Sequence, residues 1–151
     1  MHDVPRKLTE DELAELFEGR TRLVERLAER EDPLGSARHV IARLTEEEKL
    51  EALNAHPAIG ARRLSARSAS EQGADADPET LAELERLNRA YERRFGFRFV
   101  VFVNRRPKSE IVPVLRERLQ RTREQELDTA LEELVAIARH RAARSEAARA
   151  R

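Results

Sequence analysis

His56 is the first residue equipped for chemistry. It stands in His56-Pro57-Ala58-Ile59-Gly60. An imidazole titrates near neutral pH and exchanges protons without extreme tuning. The competing reading is a solvated or hydrogen-bonded histidine at a helix end. Ser68-Ala69-Ser70-Glu71-Gln72 comes second. A carboxylate beside an amide, with two hydroxyls, offers donors and acceptors to a polar ring or orients a histidine. The same residues also fit an ordinary helix start, Ser68 capping with Glu71 three positions on. The third stretch is Phe99-Val100-Val101-Phe102-Val103. If extended, it leaves backbone N–H and C=O groups for a ligand's polar edges; a plain core segment is the alternative. Arg141 lies ten residues beyond Leu131. It can clamp a carboxylate in two-point geometry, although a chain with 29 Lys+Arg has many solvated guanidiniums. Asn88 and Tyr91 fall on or near an apolar helix face and read as hydrogen-bonding core residues.

Other chemistries are disfavoured. His2, His39 and His140 are scattered, and no histidine pair has metal-ligand spacing, so no metal is expected. There is no Cys, hence no disulfide, thiol nucleophile or zinc-cysteine site, which fits a reducing cytoplasm. Phosphate-binding glycine loops and dinucleotide fingerprints are missing. The 29 basic and 29 acidic residues are interleaved, which argues against nucleic acid and anionic membrane surfaces as partners. No apolar run approaches the roughly 20 residues of a membrane span. Met1–Lys7 lacks the apolar core of a signal peptide, and Ala150-Arg151 carries no address motif; a cytoplasmic protein is expected.

The elements that must position these residues are helices. With 38% charged and 4% aromatic residues, the composition suits helices with charged outer faces. The 151 residues suffice for one domain with a real core. Thr9 with Glu12 and Thr45 with Glu48 form capping boxes. The first opens a helix carrying Leu13, Leu16 and Phe17, ended or interrupted by Gly19. Leu23, Val24 and Leu27 continue a short helix, and Asp32-Pro33-Leu34-Gly35 is a turn. Ser36 caps a third piece. The Thr45 helix must stop near His56, because a residue before proline is pushed out of the α region. Asp77-Pro78 starts a helix bearing Leu81, Leu84, Leu87 and Tyr91, closed by Gly96. Phe97 to Val103 is β-branched and aromatic, yet a single strand has no partner. Ser109 opens the next helix, with Pro113 near its first turn, and Thr122 the last, whose stripe fades near Ala142 into a frayed tail over 143–151. The expectation is all-α: a single-domain helical bundle with one buried extended segment near 97–103.

Taken together, the motifs resemble the OHCU decarboxylase family, which acts on 2-oxo-4-hydroxy-4-carboxy-5-ureidoimidazoline to give (S)-allantoin in urate breakdown. The matching residues are His56-Pro57-Ala58-Ile59-Gly60, Ser68-x-x-Glu71-Gln72, Leu87-Asn88-x-x-Tyr91-x-x-x-Phe95-Gly96-Phe97-x-Phe99-Val100, Arg118-Leu119, and Glu126-Leu127 through Ile137 to Arg141. They span about 8–142 and are specific in that order and spacing. The resemblance implies His56 as the catalytic histidine, with Glu71 and Arg141 beside it. It implies that Pro57, Ser68 to Gln72, Phe99 to Val103 and Arg141 contact a small-molecule substrate. It also implies an all-helical, cofactor-free homodimer. Arg98 stands where the family commonly has proline, and is expected to alter the turn or add charge near the pocket mouth. Ile59 replaces a leucine. The peroxisomal tripeptide of some eukaryotic members is missing. Two alternatives stay open: a non-enzymatic helical interaction module, and a lyase or hydrolase for a related ureidoimidazoline or hydantoin.

Overall fold

The computed structural model describes residues 7–57 and 77–149. Among these residues the chain forms seven α-helices and no strand. They are α1 (Glu10–Leu16), α2 (Arg22–Ala28), α3 (Ala37–Ala42), α4 (Glu46–Ala55), α5 (Pro78–Phe95), α6 (Lys108–Arg118) and α7 (Arg123–Arg149). Local chemistry sets most boundaries. Thr9 and Thr45 each close a complete capping box, with Glu12 and Glu48 returning the bond, so two otherwise orphaned donors are satisfied at each end. Asp77 caps α5 ahead of Pro78. Gly96, at φ 82°, ends α5 in the left-handed conformation that costs glycine least. Thr122 and Gln125 exchange bonds across the first turn of α7.

Four boundaries differ from the sequence expectation. Ser36 precedes α3 but makes no side-chain cap bond. Helix α6 begins at Lys108 rather than Ser109, which places Pro113 past the first turn. Pro113 faces solvent, where the carbonyl that it deprives of a donor can meet water. After α1 it is Glu18, at φ 65°, and not Gly19 that adopts the left-handed backbone. Finally, α7 does not stop where its buried stripe fades: it stays helical to Arg149.

One core joins all seven helices. Leu13, Leu23, Leu27, Leu53, Leu84, Ile111, Leu115 and Leu134 are fully or almost fully buried in it. Helix α7 runs against α1, α3 and α4, and α5 pairs with α6. The chain from Phe97 to Val103 crosses this core without helical or strand structure. It can do so because its apolar side chains join the core, with Phe97, Phe99, Val100, Val101 and Val103 buried. Tyr91, Phe95, Phe97 and Phe99 form one aromatic cluster, with ring centroids 4.6 to 6.1 Å apart, within the range of favourable edge and tilted contacts.

Side chains take several of the polar backbone groups of this stretch. Arg118 Nη1 donates to the Val100 carbonyl at 2.7 Å. Glu133 accepts from the Phe102 N–H at 3.3 Å. Arg106 donates to the Phe102 and Val103 carbonyls at 2.7 and 2.9 Å. Arg118 is itself held by Glu126, which is fully buried and also accepts from the Tyr91 hydroxyl at 2.6 Å and from Arg121 at 2.9 Å. One carboxylate thereby ties α5, α6 and α7 together.

Candidate active site

Helix α4 delivers His56 as its C-terminal cap. Its backbone is already extended, φ −78° and ψ 134°, as the following Pro57 demands. The turn of the chain carries the imidazole inward, and His56 is only 7% exposed. Its Nδ1 has no hydrogen-bond partner among the described residues.

Arg141 reaches the same region from α7. It is 1% exposed, and Nη1 donates to the Leu16 carbonyl at 2.9 Å. That carbonyl belongs to the last turn of α1, whose final carbonyls lack helical partners. The same nitrogen lies 3.1 Å from Glu18 Oε1. Glu18 is placed there by its left-handed backbone, a conformation that costs a residue other than glycine roughly 1 kcal/mol or more. The loop carrying it lies against the end of α4: a Cβ on Gly19 would come within 3.4 Å of Ala55 Cβ, one residue before His56.

Arg98 closes a third side. Its Nη1 donates to the His56 carbonyl at 3.0 Å, and its backbone N–H donates to Asn54 Oδ1 at 3.1 Å. Its Nε is 3.7 Å from Glu92.

These surroundings push the His56 imidazole down from 6.5 to about 4. Burial is the main cause, because the charged form loses its hydration. The Arg141 guanidinium adds to it, the Glu18 carboxylate opposes it, and Arg98 lowers the value further. The expectation of near-neutral titration is thus corrected by desolvation. At neutral pH this imidazole is uncharged.

Of the residues singled out in the sequence, His56 and Arg141 are buried and electrostatically coupled. Pro57 is partly buried beside them. Ser68, Ala69, Ser70, Glu71 and Gln72 lie outside the described residues, as do Ala58, Ile59 and Gly60. Phe99 to Val103 is extended and largely buried, but less of its backbone is available than expected. The carbonyls of Val100, Phe102 and Val103 and the N–H of Phe102 are taken by Arg118, Arg106 and Glu133. Among the described residues, the N–H and C=O of Phe99 and Val101 make no hydrogen bond. Asn88 and Tyr91 are buried, as their helix face predicted. His39 is exposed, and the His140 ring packs on Phe102 at 5.2 Å. No cluster of potential metal ligands occurs among the described residues, and none of their helices is long and apolar enough to cross a membrane.

Sequence reasoning missed Glu18 and the bond from Arg98 to His56. For Glu18 the only signal in the sequence is its place beside Gly19, the residue expected to end or interrupt the helix. Arg98 stands out as a departure from a family pattern, but spacing does not disclose its partner.

Several known proteins are similar to this chain. The family model described as OHCU decarboxylase matches residues 2–143. The 2-oxo-4-hydroxy-4-carboxy-5-ureidoimidazoline decarboxylase of Haloferax volcanii is 31% identical, over 74% of this chain and 70% of its own. A uric acid degradation bifunctional protein of Bacillus sp. is also 31% identical, over 68% of this chain but only 21% of its own length. Among solved structures, that of an OHCU decarboxylase in the presence of (S)-allantoin superposes with a TM-score of 0.74. It is 24% identical, and the match covers 88% of this chain and 96% of that one, so that this likeness speaks for the fold.

Proposed function

The chain belongs to the OHCU decarboxylase family, and on that premise we propose how its site works. The enzyme is a carboxy-lyase of urate catabolism that converts 2-oxo-4-hydroxy-4-carboxy-5-ureidoimidazoline to (S)-allantoin. The observation that carries the assignment of residues is the meeting of a neutral buried imidazole and a buried guanidinium from distant parts of the chain.

The substrate holds a carboxylate on a carbon that also bears a hydroxyl and adjoins a C=N bond. When the carbon–carboxylate bond breaks, its electron pair forms a C=C bond to the neighbouring carbon. The C=N electrons move to nitrogen, which takes a proton from water. The hydroxyl then loses its proton as the carbonyl forms, and the former C=N carbon gains one. The substrate supplies its own electron sink. The protein must hold the carboxylate out of the ring plane and carry one proton to one face.

Arg141 holds the carboxylate or its neighbouring oxygens. Its buried position makes that attraction stronger than it would be in water. His56 takes the hydroxyl proton and returns it to carbon on one face, which fixes the product's hand. Its depressed pKa keeps the imidazole neutral at the outset, with the proton acceptor's lone pair free, and makes its protonated form a strong donor to carbon. Phe99 and Val101 offer backbone donors and acceptors to the ring and ureido groups. Glu71 and Gln72, with Ser68, Ala69 and Ser70, complete the binding segment, and Pro57 lies against the substrate. A cytoplasmic location and a homodimer belong to the same proposal; light scattering should then read twice the 17.4 kDa chain mass, and a monomer would refute the dimer.

The test of the reaction is optical. Freshly generated substrate incubated with the protein should yield (S)-allantoin, followed by circular dichroism, well above the spontaneous background. Turnover of hydantoin analogues, with none of this substrate, would transfer the site to a related reaction.

A further inference from the structure

We propose that Arg98 is a positioning residue for the decarboxylation, one that fixes the end of α4 on which the His56 imidazole is mounted. The inference rests on the functional reading above. Two bonds run from one residue to one short stretch of chain. The Arg98 N–H donates to Asn54 Oδ1 at 3.1 Å, and Arg98 Nη1 donates to the His56 carbonyl at 3.0 Å. Arg98 is also the residue that leads from the Gly96 cap into the extended stretch 99–103. The two halves of the candidate site, imidazole and extended backbone, are therefore tied through this side chain.

Folding alone does not call for this arrangement. The Arg98 side chain is 41% exposed, so the core does not depend on it. The His56 carbonyl follows the last helical residue of α4, where donors are needed. A guanidinium serves there with a fork rigid enough to fix direction as well as satisfy the acceptor. Proton transfer is sensitive to such direction, and displacement of about 1 Å from a productive geometry can cost about 10²-fold in rate.

The groups that face the imidazole include Arg141 from α7, Glu18 from the loop after α1 and Arg98 from the extended stretch. Arg98 is the most exposed of the three and can be changed with least damage to packing. Removing its charge takes away one of the influences that hold the imidazole low. The His56 titration should therefore move upward when Arg98 is replaced by a neutral residue.

The experiment compares wild type, Arg98→Met and Arg98→Lys by kcat, KM, thermal midpoint and NMR titration of His56. For Arg98→Met, kcat should fall about tenfold while KM changes by less than about twofold. The imidazole pKa should rise, and the thermal midpoint should stay within a few degrees. Arg98→Lys retains a cation and a donor and should recover part of the rate. A wild-type kcat in Arg98→Met would overturn the proposal. So would a rate loss accompanied by a large fall in thermal midpoint and an unmoved imidazole titration, which marks a purely structural role. If the wild-type protein itself fails to make (S)-allantoin, it is the functional reading that fails; the His56 titration still reports whether Arg98 acts on the imidazole.

Discussion

Taking an imidazole out of water penalises its protonated form most, and His56 shows the consequence. Burial holds it at about 4, with Arg141 and Arg98 adding to the effect and Glu18 resisting it. Between about pH 6.5 and pH 4 the unfolded chain binds a proton at this residue and the folded chain does not. Stability therefore rises with pH across that window. The contribution is complete above the unfolded value and lost as pH falls through the folded one, and its full size is on the order of 3 kcal/mol. Urea unfolding should show wild type losing more stability than His56→Gln between about pH 7.5 and pH 4.5. Equal losses would mean that the imidazole is not held neutral by the fold. The chemistry of His56 was legible because proline follows it and a patterned helix precedes it. Its low pKa was not, since it depends on burial and on two arginines 42 and 85 positions away in the sequence. Glu18 was hidden for a different reason. Its left-handed backbone is sustained by the surrounding structure and not by local preference.

Between helices, the fully buried Glu126 is the joint. It accepts from Tyr91 of α5, Arg118 of α6 and Arg121 in the turn before α7. Arg118 in turn holds the Val100 carbonyl and lies 4.6 Å over the Phe99 ring. Burial and the bond to Glu126 push the Tyr91 hydroxyl above its ordinary range, so that it remains a donor. Glu126→Ala would leave the nearly buried Arg118 without its carboxylate. The expected cost is about 3–5 kcal/mol, read from chemical denaturation, with the extended stretch loosened as well. A cost below about 1 kcal/mol would show that water or a neighbour replaces the carboxylate. Helix periodicity and capping residues announced the helices themselves, because both are local. The network that steadies Phe97 to Val103 was not announced, because pairing among 29 basic and 29 acidic residues is settled only by the folded chain. Pro113 shows the same limit: its tolerance inside α6 follows from facing solvent, which the spacing alone left open.

Across the whole molecule, the long helix α7 does two jobs. Leu131, Leu134, Ile137 and Ala138 close the core, and a turn later Arg141 bonds the end of α1 and acts electrostatically on His56. The proposed site thus draws on α1, α4, α7 and the extended stretch, and none of these contains it alone. The all-helical class and the presence of an extended crossing were readable from composition and pattern. The convergence of His56 and Arg141 was implied by resemblance and acquires a physical basis here, in a shared buried environment. That convergence is the claim on which the proposed mechanism stands. It is tested most directly by following the hand of the product, by circular dichroism, in His56→Ala beside wild type. The account predicts that rapid (S)-selective formation of allantoin by wild type falls by about 10²–10⁴ in His56→Ala, with far-ultraviolet helicity retained and the residual product no longer of one hand. Near-normal formation of (S)-allantoin by His56→Ala would contradict it.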